Sequence, residues 1–207
     1  MNQIAEHLLQ VKERIVQAAS RAGRSRDHIQ LLAVSKTKPL EAVCEAYAAG
    51  QRRFGESYAQ EAATKIDTLR EQGACADIEW HFIGPLQSNK SKLVAERFDW
   101  VQSVDREKLI ERLNNQRPSG LAPLNVCLQI NISGESSKSG TSEQEIFRLA
   151  ELVSHSDRLV LRGLMAIPEH TSDETVLAAQ MTRMQTLFTE LARQYPSVDT
   201  LSMGMTE

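Results

Sequence analysis

Lys36 stands directly after Ile29-Gln30-Leu31-Leu32-Ala33-Val34-Ser35, a short apolar run of the kind that forms a buried strand, and it is followed by Thr37-Lys38-Pro39. An amine at such a strand end, partly desolvated and beside other cations, is favoured as the neutral nucleophile that an imine with an aldehyde requires. The position also suits a solvated loop lysine. Lys38, just before Pro39, reads as that solvated neighbour.

Other apolar runs end in groups that could surround a flat ligand. Phe54-Gly55-Glu56-Ser57-Tyr58 offers a glycine for close backbone approach and the Ser57 hydroxyl as a donor; Tyr58 fits a core position equally. His81, in Trp80-His81-Phe82-Ile83-Gly84-Pro85-Leu86-Gln87-Ser88-Asn89-Lys90, could stack on or hydrogen-bond a ring, or be a satisfied core histidine. Ser88 could simply cap a helix. The small, polar loop from Asn131 to Gly140 carries Lys138, which could reach a phosphate or an incoming ligand. Met165 would form part of a wall, and Ser202 and Gly204 offer a hydroxyl and an unobstructed backbone N–H to a phosphate.

These residues need a frame that brings strand ends together. Ile4, Leu8, Val11 and Ile15 recur at steps of three and four, predicting an N-terminal helix that stops at Gly23. Strands are then expected at 29–35, near 53–55, and at 78–83, 100–104, 124–132, 159–165 and from 200. The run at 124–132 is the longest of them. Helices are expected from Pro39 to Gly50, and at about 58–72, 90–97, after Asp105 as N-cap, 142–154 opened by Thr141 or Ser142, and 173–195. Alternating strand and helix means parallel strands with helical crossovers. A (β/α) barrel is favoured over a doubly wound sheet, and its active residues gather at the C-terminal ends of the strands. Such barrels typically take about 250 residues and begin at about 200. Met203-Gly204-Met205-Thr206-Glu207 leaves no eighth strand, so the C-terminal end is expected to be incomplete.

The composition excludes several classes. A formal charge of −3 gives no global basic field, so neither nucleic acid nor an anionic membrane is expected as a partner. Cys44, Cys75 and Cys127 have no CxxC spacing and read as reduced thiols, and the five histidines never fall at ligand spacing, so no metal is expected. No secretory signal or membrane span is read, which places the protein in the cytoplasm. No exposed heptad is visible, and a monomer is expected.

Leu32-Ala33-Val34-Ser35-Lys36-Thr37-Lys38-Pro39, Phe54-Gly55-Glu56-Ser57-Tyr58, the block Trp80 to Lys90, Gln129 to Ser133, Lys138-Ser139-Gly140, Gly163-Leu164-Met165 and Leu201-Ser202-Met203-Gly204-Met205 closely resemble the pyridoxal phosphate homeostasis protein family, including its bacterial YggS members. The resemblance runs from the N-terminal helix to the last residue. It implies a (β/α)8 TIM-type barrel like the alanine racemase N-terminal domain, with an extra N-terminal helix and its last strand missing from this chain, residues 1–207 forming one pyridoxal-phosphate-binding domain. It also implies pyridoxal 5'-phosphate held as an aldimine on Lys36, and a role in vitamin B6 balance without established turnover. PLP-dependent apoenzymes would be the partners that receive the cofactor. Two departures are expected to weaken binding: the family usually has Asn where Ser57 stands, and its arginine-bearing C-terminal strand ending in Gly-Thr is not found after Glu207.

The resulting reading is a cofactor-binding protein that uses Lys36, Ser57, His81, Met165, Ser202 and Gly204, with Lys138 as a possible transfer lysine. The alternatives are a PLP-dependent enzyme, such as a weak racemase or lyase moving protons with His81 or Lys38, and a cofactor-free aldolase-like barrel using Lys36 directly.

Overall fold

A computed structural model describes residues 3–134, 139–168, 171 and 173–204. The chain divides into two compact units, Met1–His81 and Phe82–Glu207.

In the first unit, α1 (Gln3–Arg21) turns its apolar stripe towards α2 (Leu40–Ala48), with Ala19 fully buried. A short 3-10 turn, Arg26–His28, precedes β1 (Ala33–Val34), and β2 (Arg53–Glu56), α3 (Ala59–Glu71) and β3 (Glu79–Phe82) follow. β1 and β2 are parallel, with Ala33 opposite Phe54, and β3 lies beside β2. Burial of Val43, Phe54, Ala62, Ile66, Leu69 and Trp80 makes the core, in which the Phe54 and Trp80 rings lie 5.8 Å apart. The expected strand at 29–35 shrinks to two residues for a visible reason. The Leu31 carbonyl accepts from Gln51 Nε2 at 2.9 Å, so a side chain satisfies the backbone group that a longer ladder would have used.

In the second unit a 3-10 turn (Ser88–Lys90) runs into α4 (Ser91–Arg97), where one helix from residue 90 was expected. Then come β4 (Trp100–Val104), α5 (Glu107–Gln116), β5 (Leu124–Gln129), α6 (Glu143–Ser154), β6 (Leu159–Ala166), α7 (Glu174–Gln194) and β7 (Thr200–Met203). β4 to β7 pair in chain order and all in parallel, each reached through a helix. Their core includes Val101, Leu109, Leu124, Leu128, Ile146, Leu161 and Leu191, with Phe82 and Phe98 in an edge contact at 5.4 Å.

Three expectations change here. The N-cap of α5 is Arg106, not Asp105; Arg106 Nη1 donates to the Asp105 carboxylate at 2.5 Å, so that side chain faces a guanidinium instead of the helix amides. α7 has Asp173, expected as the first residue of its helix, as its N-cap, with Asp173 Oδ1 accepting from the Thr175 and Val176 amides. β5 stops at Gln129: the Ile130 N–H still donates to Met165 O at 2.9 Å, but the Asn131 N–H turns to Thr141 O at 3.0 Å, and the Thr141 N–H donates to Gln129 O at 2.8 Å. That makes β6 the longest strand. Gly163 within β6 sits at φ +150°, and a Cβ there would lie 1.8 Å from Thr200 O, so the close approach of β7 requires glycine.

Candidate functional site

The segment after β1 is fixed by buried charge. Ser35 is buried; its N–H donates to Gly55 O at 2.9 Å and its hydroxyl donates to Glu56 Oε1 at 2.8 Å. Lys65 of α3 reaches into the same place. Its Nζ donates to Ser35 O at 2.8 Å, to Glu56 Oε1 at 2.8 Å and to Glu61 Oε1 at 2.7 Å. Glu61 in turn accepts the Thr37 N–H at 2.8 Å. The peptide groups before and after Lys36 are therefore both held by this network, one through Ser35 O and the other through Thr37 N. The hold keeps Thr37 at φ +62°, a left-handed conformation that a β-branched residue adopts only when its surroundings over-determine it.

Lys36 itself is exposed. The partial desolvation expected from its place after an apolar run is not what the structure provides: β1 ends at Val34, and the side chain two residues beyond it is exposed. Among the described residues of this unit, the buried cation is Lys65. Glu56 is completely buried, and among the described residues its Oε2 has no hydrogen-bond partner. An acceptor buried without a donor is costly. The hydrogen bond from Lys65 holds the Glu61 carboxyl below the usual carboxylate range.

The sequence reading missed Lys65, although a signal was present. Ala62, Ile66 and Leu69 form the buried stripe of α3, and Lys65 falls on that stripe with Glu61 four residues before it. A lysine on an apolar face has to find carboxylates.

Ser57 is half-buried just beyond β2, while Tyr58, which suited the core as well as a site, is 54% exposed. His81 is buried in β3, its Nε2 lying 2.9 Å from Glu79 Oε1, which also accepts from Arg53 Nε at 3.0 Å. The hydrogen bond from His81, with Arg53 beside it, holds the Glu79 carboxyl below its ordinary value. Of the two roles weighed for His81, this is the geometry of a satisfied core histidine.

In the second unit, Met165 and Ser202 face each other across the β6–β7 ladder. Met165 is buried with Trp100 and Cys127. Burial pushes the Cys127 thiol up to about 12, which leaves it an inert hydrophobe at neutral pH. Ser202 is half-buried and donates its hydroxyl to Oε1 of the buried Gln102 on β4 at 2.6 Å; Gly204 is exposed beyond it. Gln102 is a second residue that the sequence did not single out, since nothing within β4 reveals a partner 100 residues away. Lys138 lies outside the described residues. The loop's far flank is anchored by Gly140, where a Cβ would come within 2.6 Å of Asn131 N.

Lys36, Ser57 and His81 thus belong to the first unit, and Met165, Ser202 and Gly204 to the second. Among the described residues no group of three or more His, Cys, Asp or Glu side chains is placed to hold a metal, and no helix is long and apolar enough to cross a membrane.

Residues 7–207 match the family model of the alanine racemase N-terminal domain. The chain is 53% identical over 207 residues to the pyridoxal phosphate homeostasis protein of Escherichia coli K12, covering 100% of this chain and 88% of that protein. An unknown protein from Bifidobacterium adolescentis superposes with a TM-score of 0.87 at 31% identity, over 98% of this chain and 85% of the other. PipY of Synechococcus elongatus, in a structure with PLP bound, superposes with a TM-score of 0.78 at 33% identity, over 98% of this chain and 88% of the other. The fold is that of the alanine racemase N-terminal domain, to which the described residues contribute seven strands.

Proposed function

This chain belongs to the pyridoxal phosphate homeostasis protein family, and from that premise we propose that it binds pyridoxal 5'-phosphate and helps to hold the intracellular supply of that cofactor in balance. The observation that carries the reading is the PLP-bound PipY structure, which matches 98% of this chain at 33% identity. When bound, the cofactor supplies an aldehyde that one amine can take from another by imine exchange.

The residues present fit that group. Lys36 is an exposed primary amine on a backbone held from both sides, so its side chain can meet an aldehyde without the loop having to order first. We assign it the Schiff-base linkage. The Gly204 N–H and the Ser202 hydroxyl, once turned from Gln102, are the phosphate donors, Ser57 and Met165 adjoin the ring, and His81 supports the wall from its bond to Glu79. Lys138 is assigned to cofactor entry or transfer.

Residues 1–207 then act as one cofactor-binding barrel domain, a monomeric cytoplasmic carrier that buffers the cofactor or delivers it to PLP-dependent apoenzymes and turns over no amino acid. His81, already engaged by Glu79, gives no support to a proton-carrying role.

The test is to add pyridoxal phosphate to the purified protein, record its absorbance, reduce with borohydride and map the modified peptide. A yellow protein with the label on Lys36, lost in Lys36→Ala, is the expected result. A colourless protein, or a label spread over surface lysines, would remove the assignment. Release of amino acid unchanged after incubation supports the carrier, whereas turnover that disappears with Lys36 makes it an enzyme.

A further inference from the structure

The opposite ends of β1 and β2 carry a second feature, made from residues that the cofactor reading does not use. A cleft of ≈ 240 Å³ opens in the first unit where the chain approaches these strands, between Gln30 and Leu31 before β1 and Arg52 and Arg53 at the start of β2. Lys12 of α1 and Arg26 of the 3-10 turn complete its lining. Lys36 and Ser57 leave the other ends of the same strands, so the two places lie at opposite ends of this parallel pair.

Four cations line this cleft, and two carboxylates answer them. Arg52 Nε pairs with Asp77 at 2.7 Å, and its guanidinium lies over the Tyr47 ring at 3.9 Å. Arg53 Nε pairs with Glu79 at 3.0 Å, its one polar side-chain contact among the described residues, which leaves most of its fork of donors unspent. The Lys12 and Arg26 side chains make no ion pair or hydrogen bond among the described residues, although Lys12 is half-buried. The local balance is therefore two positive charges in excess, in a protein whose net charge is −3. Like charges gathered in a concave surface repel one another unless an anion joins them.

We propose that this cleft binds a compact phosphate dianion, as free phosphate or as a small phosphomonoester. The two-charge excess matches a dianion, and arginine forks suit phosphate oxygens better than a point cation does. The cleft is smaller than the roughly 300–1,000 Å³ of drug-sized sites, which favours a ligand of few atoms.

Calorimetric titration with inorganic phosphate and with glycerol 3-phosphate at low ionic strength tests this. Among the described residues the Lys12 and Arg26 side chains hold no partner, so Lys12→Met and Arg26→Gln remove charge without breaking a contact. Each is expected to weaken binding about tenfold, the effect of losing one charge-assisted contact, and the pair together to abolish binding at this site. Lys92→Met, which removes one exposed charge from α4, controls for net charge and is expected to leave affinity within about twofold. Equal affinities for the two probes identify free phosphate; tighter binding of the ester identifies a phosphomonoester. Phosphate binding that is absent from the native protein, or unchanged in the double variant, overturns the proposal.

Discussion

After β1, buried charge grips the backbone on either side of Lys36 and leaves its side chain in solvent, whereas at the end of β7 the Ser202 side chain is tied by one hydroxyl bond to Gln102 and Gly204 beyond it is exposed. The proposed covalent contact thus stands on a rigid base and the proposed phosphate contact on a looser one. The difference fits the two tasks. An amine that must meet an aldehyde gains from a fixed origin, because the ordering entropy is met during folding. Donors to a phosphate have to stay accessible, and accessible strand ends draw on the low-stability part of a structure.

Removing the grip is expected to have the largest effect. Lys65→Met leaves Glu56 buried without its ion-pair partner, and should cost about 3–5 kcal/mol in urea denaturation. Adding Glu56→Gln should restore part of the loss, since the stranded charge is then gone. A loss below about 1 kcal/mol in Lys65→Met would mean that the network does not hold the Lys36 segment.

Gly163→Ala comes next and acts on the looser end. The new methyl meets Thr200 O in a backbone conformation that L side chains rarely adopt, and about 2–4 kcal/mol should be lost. Hydrogen exchange should show faster exchange at β6–β7 amides and little change at the Thr37 amide. Equal loosening of both ends would dissolve the contrast.

Ser202→Ala should cost only about 1 kcal/mol, the worth of one hydrogen bond. Under the proposed function it should speed cofactor release, measured by dialysis, while borohydride trapping on Lys36 persists.

The smallest effect is that of pH. The hydrogen bond from His81 holds the folded-state value of Glu79 below its unfolded one, so its contribution to stability is complete above the unfolded value, about 4.3, and fades as pH falls through the folded value. Glu61, lowered by Lys65, acts in the same direction on the Lys36 side. Thermal melts from pH 6 down to pH 3 should show a progressive loss, reduced in a Glu79→Gln variant. A melting temperature that rises on acidification would contradict both assignments.

Much of this was legible in the residues. The helices at 3–21, 40–48 and 174–194 follow from apolar spacing and glycine stops, and β2, β4 and β7 from short runs between turns. What escaped was decided by partners distant in sequence. Gln51 shortens β1 by taking the Leu31 carbonyl, and Thr141 ends β5 by pairing with Asn131.

The sequence by itself determined the alternation of strand and helix, the family, and the candidacy of Lys36, because those rest on local periodicity and contiguous motifs. The tertiary structure decided that Lys36 is exposed while Lys65 is the buried cation, that Ser202 bonds Gln102, and that four cations crowd the far ends of β1 and β2. Burial and charge pairing depend on which residues meet in space, and a carboxylate 9 or a glutamine 100 positions away leaves no mark on the local pattern.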